Sequence, residues 1–442
     1  MNAELRNAGL LSAVVLALVA AAVWWRRRGV KAEWTRKLVH FGGGMVCLSF
    51  PFLLQSPWTV LGMALALSAL FAGGRRWGFL ACLHDVDRPT RGSEYYPLAV
   101  WMVFVLSLGE PWRYVCALLV LGVADACAAL IGSRYGTIRY EIETEQKSLE
   151  GSLVFLLISF LAIHLPLLLM TELPRATCVL AALLVAVLVT GFEAVSLHGT
   201  DNIFVPLGVC VILARITTKP VAEIAYQNAS LVAMCVVIGW LARRTRSLNV
   251  SGTIVLILGA YGAWSLGSEW WALPILSAFV AYMASWYWLP ADGRAGLLKV
   301  RIVFRAVIIP LLLVIGANSF DAGATLYHPF LATMGSVLAF ALWNHVMRFR
   351  PVTGPKRWGL TLAIAILATA VVGLPVWRTF GPAPAITFLA LLATVTVVAI
   401  AHNLCLGPKP RLEGDALWSA CRLVLTGAAA IIMLALQHLT GR

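Results

Sequence analysis

About sixteen apolar runs recur along the chain, many of them close to the ~20 residues a helix needs to cross a bilayer, and polar residues are confined largely to the breaks between them. A water-soluble core cannot absorb so much unbroken apolar sequence. Hydrophobic residues make up 60% of the 442 residues and charged residues only 12%, far from the balance of a soluble domain. The runs do not alternate residue by residue, so they do not read as β-barrel strands. The fold class expected is therefore all-α: a polytopic integral membrane protein with about 14–16 transmembrane helices. The approximate spans are 8–25, 38–54, 57–74, 97–109, 114–132, 152–171, 176–192, 203–218, 225–242, 250–267, 270–289, 302–317, 325–346, 359–377, 383–403 and 416–437.

The charges test this count. Loops after odd-numbered spans hold most of the 34 Lys and Arg, beginning with Arg26, Arg27, Arg28, Lys31, Arg36 and Lys37 and ending with Lys409 and Arg411. Few basic residues fall in the tails and loops on the other side. Cytoplasmic loops carry such an excess, so the expected orientation places the basic loops in the cytoplasm and both termini outside. The first run lacks a convincing cleavage site, and its basic cluster follows it instead of preceding it. It reads as a retained span, not a signal peptide. Arg305 and Arg422 fall inside spans.

The net charge of +14 fits basic loops against anionic lipid. No basic and aromatic cluster sits on a soluble module, so no nucleic acid is expected as a partner. The nine cysteines lie mostly in apolar runs without a C-x-x-C pair, and read as small packing residues, not as disulfides or zinc ligands. A soft boundary near 219–249 divides the chain into 1–220, where acids lie in or beside the spans, and 221–442, where they are sparse. The expected job of the second part is scaffold, lipid access or contact between copies in an oligomer.

Charge in or beside a span is costly and usually marks function. Asp125 lies within the run 115–131, and its small neighbours Ala124, Ala126, Ala128 and Ala129 allow another helix or a ligand to come close. A structural Asp bonded between helices is the plainer reading. Gly132-Ser133-Arg134-Tyr135-Gly136 follows at the membrane face, where glycines let backbone N–H groups approach phosphate and Arg134 adds a forked donor. Glycines also simply end helices. There is no Walker A motif. Lys147-Ser148-Leu149-Glu150 opens the next span, with Lys147 able to hold a phosphate and Ser148 able to cap a helix whose N-terminus favours anions. Glu193 and the segment Asp201-Asn202 bracket the next turn on the same side. They supply hard oxygen ligands suited to Mg²⁺. Arg36, Lys37 and His40 open span two, and Arg91 with Glu94 precedes span four. Alone, these are ordinary charges at a membrane edge.

In this order the fragments resemble the membrane-bound phytol kinase and dolichol kinase family, the CTP-dependent polyprenol kinases. The matching pieces are Arg36-Lys37-x-x-His40, Arg91-x-x-Glu94 with Pro97, Asp125-Ala126-x-Ala128-Ala129 with Gly132 and Gly136, Lys147-Ser148-x-Glu150-Gly151-Ser152, Glu193, and Asp201-Asn202 with Pro206. They cover residues 30–215. Ala124 departs from the family's tendency to Gly before the Asp. The resemblance implies a cytoplasmic active site and a nucleoside triphosphate donor, often CTP, with UTP and ATP as alternatives.

The function expected is transfer of a terminal phosphate to the hydroxyl of a long-chain isoprenoid alcohol such as phytol or dolichol. Asp125, Glu193, Asp201 and Asn202 are the candidates for Mg²⁺. Lys147 and Arg134, with Ser148, Gly132 and Gly136, are candidates for the nucleotide phosphates. Glu150 or Asp125 would accept the alcohol proton. Two other readings stand beside this one. The first is a CTP-dependent cytidylyltransferase acting on a lipid phosphate, and the second is a transporter or flippase.

Overall fold

A computed structural model describes residues 2–78, 80, 92–142, 145–288, 300–381, 383–406 and 416–439. Each apolar run of the sequence becomes a helix. Eleven of the described helices are long and apolar enough to cross a membrane, so the chain is a multi-pass membrane protein. Others reach only 15 to 17 residues, such as those at Gly92–Leu106, Asp201–Ile216 and Val250–Leu266.

The chain divides into two compact units, Met1–Ala229 and Ser230–Arg442. In unit 1 the helices are α1 (Asn2–Arg27), α2 (Ala32–Cys47), the short α3 (Phe50–Leu53), α4 (Pro57–Trp77), α5 (Gly92–Leu106) and α6 (Pro111–Leu119). A π-helical turn, Val120–Ala124, joins α6 to α7 (Asp125–Tyr135). A β-hairpin follows, β1 (Arg139–Ile142) against β2 (Glu145–Ser148), pairing Tyr140 with Lys147. Then come α8 (Leu149–Met170), α9 (Arg175–Val195) and α10 (Asp201–Ile216). The boundary between the units falls within α11 (Val221–Thr245). Unit 2 continues with α12 (Val250–Leu266), α13 (Glu269–Trp288), α14 (Val300–Ser319), α15 (Gly323–Phe349) and α16 (Lys356–Gly373). A 3₁₀ turn at Leu374–Phe380 leads to α17 (Pro384–Leu406) and α18 (Ala416–Leu439).

The packing follows from side-chain size. Helix α8 is apolar on every side, as a membrane span must be. Leu153, Leu157, Leu161, Leu165 and Leu168 recur on one exposed stripe, while Phe155, Ser159, Ala162 and Ile163 turn inward. Helix α9 is the best-buried span of unit 1, and small residues let it sit there: Ala181, Ala182 and Ala186 are all fully buried. Close approach through small side chains is how helices associate where lipid replaces water. Helix α15 has the same place in unit 2, where Ala332, Gly335, Ser336 and Ala339 run along it and are all buried. The described cysteines are all unpaired.

Glycines set the closest crossing near Asp125. A Cβ on Gly44 of α2 would lie 3.6 Å from Gly122 Cα in the π turn and 2.7 Å from Tyr96 Oη. Behind it, a Cβ on Gly136 would come within 2.3 Å of the Gly132 carbonyl and 2.6 Å of Ser148 Cβ. A Cβ on Gly132 would lie 3.2 Å from Gly151 Cα, so the end of α7 and the start of α8 approach backbone to backbone. Ala124, where a Gly was expected, has ordinary helical angles (φ −65°, ψ −43°) and needs none of glycine's freedom.

Candidate active site

Asp125 is the first residue after the π turn. A π turn adds a residue to the helix and commonly occurs at functional sites. His40 of α2 reads both sides of this junction: its Nε2 lies 3.1 Å from the Leu121 carbonyl oxygen and 3.4 Å from Asp125 Oδ2. The His40 ring meets Tyr96 of α5 edge-on at 4.7 Å. Tyr96 Oη is buried and has no hydrogen-bond partner among the described residues. Three helices thus converge on the Asp125 carboxylate.

The hairpin supplies the cation. Successive strand residues face opposite sides, so Glu145 and Lys147 of β2 share one face. Both reach the turn between α9 and α10. Lys147 Nζ donates to Glu193 Oε1 at 2.7 Å and also to the Glu193 carbonyl. Glu145 Oε1 accepts from the His198 backbone N–H at 3.1 Å. That turn holds two successive left-handed residues, His198 (φ 55°) and Gly199 (φ 85°). Asn202 donates back to the Gly199 carbonyl at 3.1 Å. The result presents Asp201 at the first position of α10.

The electrostatics show how crowded the cluster is. Burial pushes the Asp201 carboxyl up, and the nearby Asp125 carboxylate adds to the effect, carrying it to about 6 against the pull of Lys147. Burial works against the Lys147 ammonium, but Glu193 and Asp201 outweigh it and raise its pKa above the usual value. Tyr140, paired across the hairpin, is raised chiefly by burial.

One cavity of about 940 Å³ collects these groups. Arg36, Lys37, His40, Asp125, Gly132, Lys147, Ser148, Glu193, Asp201 and Asn202 all line it. One stretch of its wall is apolar: Val15 from α1, Cys47 from α2, Val60, Met63, Leu67 and Phe71 from α4, and Val100 from α5. From Phe71 to Val60 the α4 wall runs roughly 16 Å at helical rise. A charged mouth thus opens into an apolar channel.

Some sequence candidates stand elsewhere. Arg134 is exposed, with its guanidinium 5.4 Å from the Tyr135 ring centroid, and does not line the cavity. Glu150 is also outside the lining. Its Oε1 accepts from the Thr137 and Ile138 backbone N–H groups at 2.8 and 3.1 Å, and from the Thr137 hydroxyl. It fastens the entry to the hairpin. Ser148 caps α8, accepting from Gly151 N at 3.1 Å. Gly136 serves close packing and does not face the cavity. Glu94 binds Arg75 Nε at 3.1 Å and ties α5 to α4. Arg91 lies outside the described residues. Sequence reasoning passed over Tyr96 and Glu145. The alternation of polar and apolar residues from Arg139 to Ile142 was the available signal for the hairpin that carries Glu145 and Lys147.

Among the described residues no three His, Cys, Asp or Glu side chains are gathered tightly enough to hold a metal alone. The donors nonetheless fit Mg²⁺ arriving on phosphate, which needs only one or two carboxylates from the protein. The mutual repulsion of Asp125 and Asp201, visible in the raised Asp201 carboxyl, is what such a cation would relieve.

A multi-pass membrane enzyme is the class that this helical fold, with acids and cations gathered in one cavity, defines. The chain is 34% identical to a phytol kinase from Synechocystis sp. over 212 residues, which cover 46% of this chain and 88% of that protein. It belongs to the phytol kinase family. Neither a protein-family model nor a solved structure matches it.

Proposed function

We propose that the chain transfers the terminal phosphate of a nucleoside triphosphate, CTP being the donor expected, to the hydroxyl of a long-chain isoprenoid alcohol. The observation that carries this reading is the single cavity in which a charged mouth meets an apolar channel. An isoprenoid chain fits the wall of Val60, Met63, Leu67 and Phe71, which leaves its hydroxyl beside Asp125. The basic loops beside it support a cytoplasmic mouth.

Phosphoryl transfer depends on positioning and charge neutralisation more than on covalent help from the protein. Lys147, held by Glu193, meets the donor phosphates, with Arg36 and Lys37 at the same mouth. Asp125 and Asp201 would hold a phosphate-borne Mg²⁺, with Asn202 and Glu193 beside them. That ion would supply neutralisation of the charge that develops on the phosphate oxygens. The alcohol oxygen bonds to the terminal phosphorus as the bond to the bridging oxygen breaks. The hydroxyl proton passes to Asp125, and the nucleoside diphosphate leaves. Asp125 is preferred over Glu150 as the acceptor because Glu150 is engaged by Thr137 and Ile138 outside the cavity.

The test is purified protein in detergent with labelled CTP, UTP and ATP against phytol, farnesol, geranylgeraniol and dolichol. Prenyl monophosphate and nucleoside diphosphate are expected in equal amounts. Release of pyrophosphate instead would establish nucleotidyl transfer. Movement of substrate without nucleotide consumption would establish transport.

A further inference from the structure

Unit 2 holds its own cavity, of about 150 Å³, between α13, α14, α15 and α18. Three arginines line it: Arg305, Arg348 and Arg422. Arg305 and Arg422 lie roughly 8 and 9 Å along their helices from the N-terminal ends. Arginine so far into a span is costly and marks function by default. No Asp or Glu is among the described residues that line this cavity. The Arg422 guanidinium carbon lies over the Trp418 ring, 4.1 Å from its centroid. Trp286 also lines the space, and its buried indole N–H has no hydrogen-bond partner among the described residues. These charged and indole groups can only donate hydrogen bonds. The rest of the wall is largely apolar, with Val303, Leu338 and Leu423 in it.

We infer that unit 2 carries a binding site for the phosphate headgroup of a lipid, held by Arg305, Arg348 and Arg422 with the Trp286 N–H as a further donor. Guanidinium forks match phosphate oxygens in pairs. Basic pockets between membrane helices take lipid headgroups in this way. The volume is below the ~300 Å³ at which ligand pockets for larger molecules begin. It therefore suits a phosphate group and not a nucleotide, and the apolar wall suits the chain attached to it. The inference does not depend on the kinase reading of unit 1.

The test uses the full-length protein in neutral maltoside micelles and measures binding of radiolabelled hexadecyl phosphate. Unlabelled hexadecyl phosphate, phosphatidylglycerol, inorganic phosphate and hexadecanol serve as competitors. Arg305→Gln is expected to weaken binding at least tenfold, and Trp286→Phe a few-fold, while kinase turnover stays at the wild-type value. Competition by hexadecyl phosphate above phosphatidylglycerol assigns the site to monoesters such as the proposed product. The reverse order assigns it to bilayer phospholipid. Equal affinity in wild type, Arg305→Gln and Trp286→Phe overturns the proposal. So does competition by inorganic phosphate or hexadecanol as strong as that of hexadecyl phosphate. If Arg305→Gln does not fold, Arg422→Lys, which keeps the charge but loses the fork, must show the loss instead.

Discussion

Units 1 and 2 are both helical bundles wrapped around one well-buried span, α9 in the first and α15 in the second, yet their cavities are furnished differently. The unit 1 cavity is about 940 Å³ and mixes Asp125, Glu193 and Asp201 with Arg36, Lys37 and Lys147. The unit 2 cavity is about 150 Å³ and has arginines without a described carboxylate in its wall. Arginines without a described carboxylate favour an anion over a cation. A wall with both signs can take an anion and a cation together, at the cost of carboxylates crowded against each other. The contrast separates a place that does chemistry from a place that binds.

The largest effect that would sharpen this contrast is expected from Asp125→Asn. Loss of the proton acceptor should lower turnover by about 10²–10⁴-fold, with the melting temperature unchanged. Normal turnover in the purified variant would remove Asp125 from the mechanism. Lys147→Met comes next. It leaves Glu193 buried without its partner, a cost of about 3–5 kcal/mol, and should raise the KM for nucleotide steeply. Adding Glu193→Gln should recover the melting temperature but not the activity. If the double variant recovers both, Lys147 serves only the fold.

Gly136→Ala tests the link between packing and chemistry. Its Cβ would press on the Gly132 carbonyl and on Ser148, moving the hairpin that carries Lys147. An activity loss of about tenfold is expected, larger than the loss in stability alone implies. The pH dependence is subtler. As pH falls through about 6, Asp201 takes up a proton and loses the charge that holds a cation. The kcat/KM should fall about tenfold per pH unit below that point. In Asp201→Asn that acid limb should vanish while the plateau drops. A limb that persists at the same pH in the variant would assign it to another group. The smallest effect is expected from Gly199→Ala, where φ is 85°. A side chain there costs about 1–2 kcal/mol, read as a shift of a few degrees in the melting temperature.

Helices were legible because lipid enforces them: every backbone group in the bilayer must be satisfied within its own segment. Each run read from sequence became a helix, down to the short one at Asp201–Ile216. The convergence of Asp125, Lys147, Glu193 and Asp201 on one cavity follows from their shared placement beside the basic loops. The hairpin left only the short alternation of Arg139 to Ile142 as a signal. Arg139–Ile142 and Glu145–Ser148 are two four-residue strands in what reads as a polar loop, and only pairing with each other defines them. Glu150 stands apart from Lys147 for the same reason: Lys147 sits on a strand and Glu150 on the helix that follows. Arg305 and Arg422 stood out as charges within spans, but their place on the wall of one cavity could not be read from their positions along the chain.

The π turn at Val120–Ala124 has a consequence for any change in chain length. One surplus residue in the coil rotates all that follows by roughly 100° relative to an uninterrupted α-helix. A uniform helical wheel drawn through residues 111–135 therefore misplaces Asp125 by about a quarter of a revolution. Winding the same number of residues into an even α-helix would swing the carboxylate off its bearing, whereas deleting one of the five would remove the bulge and leave the carboxylate where it is. The turn thus absorbs a surplus residue and keeps the aim of the site.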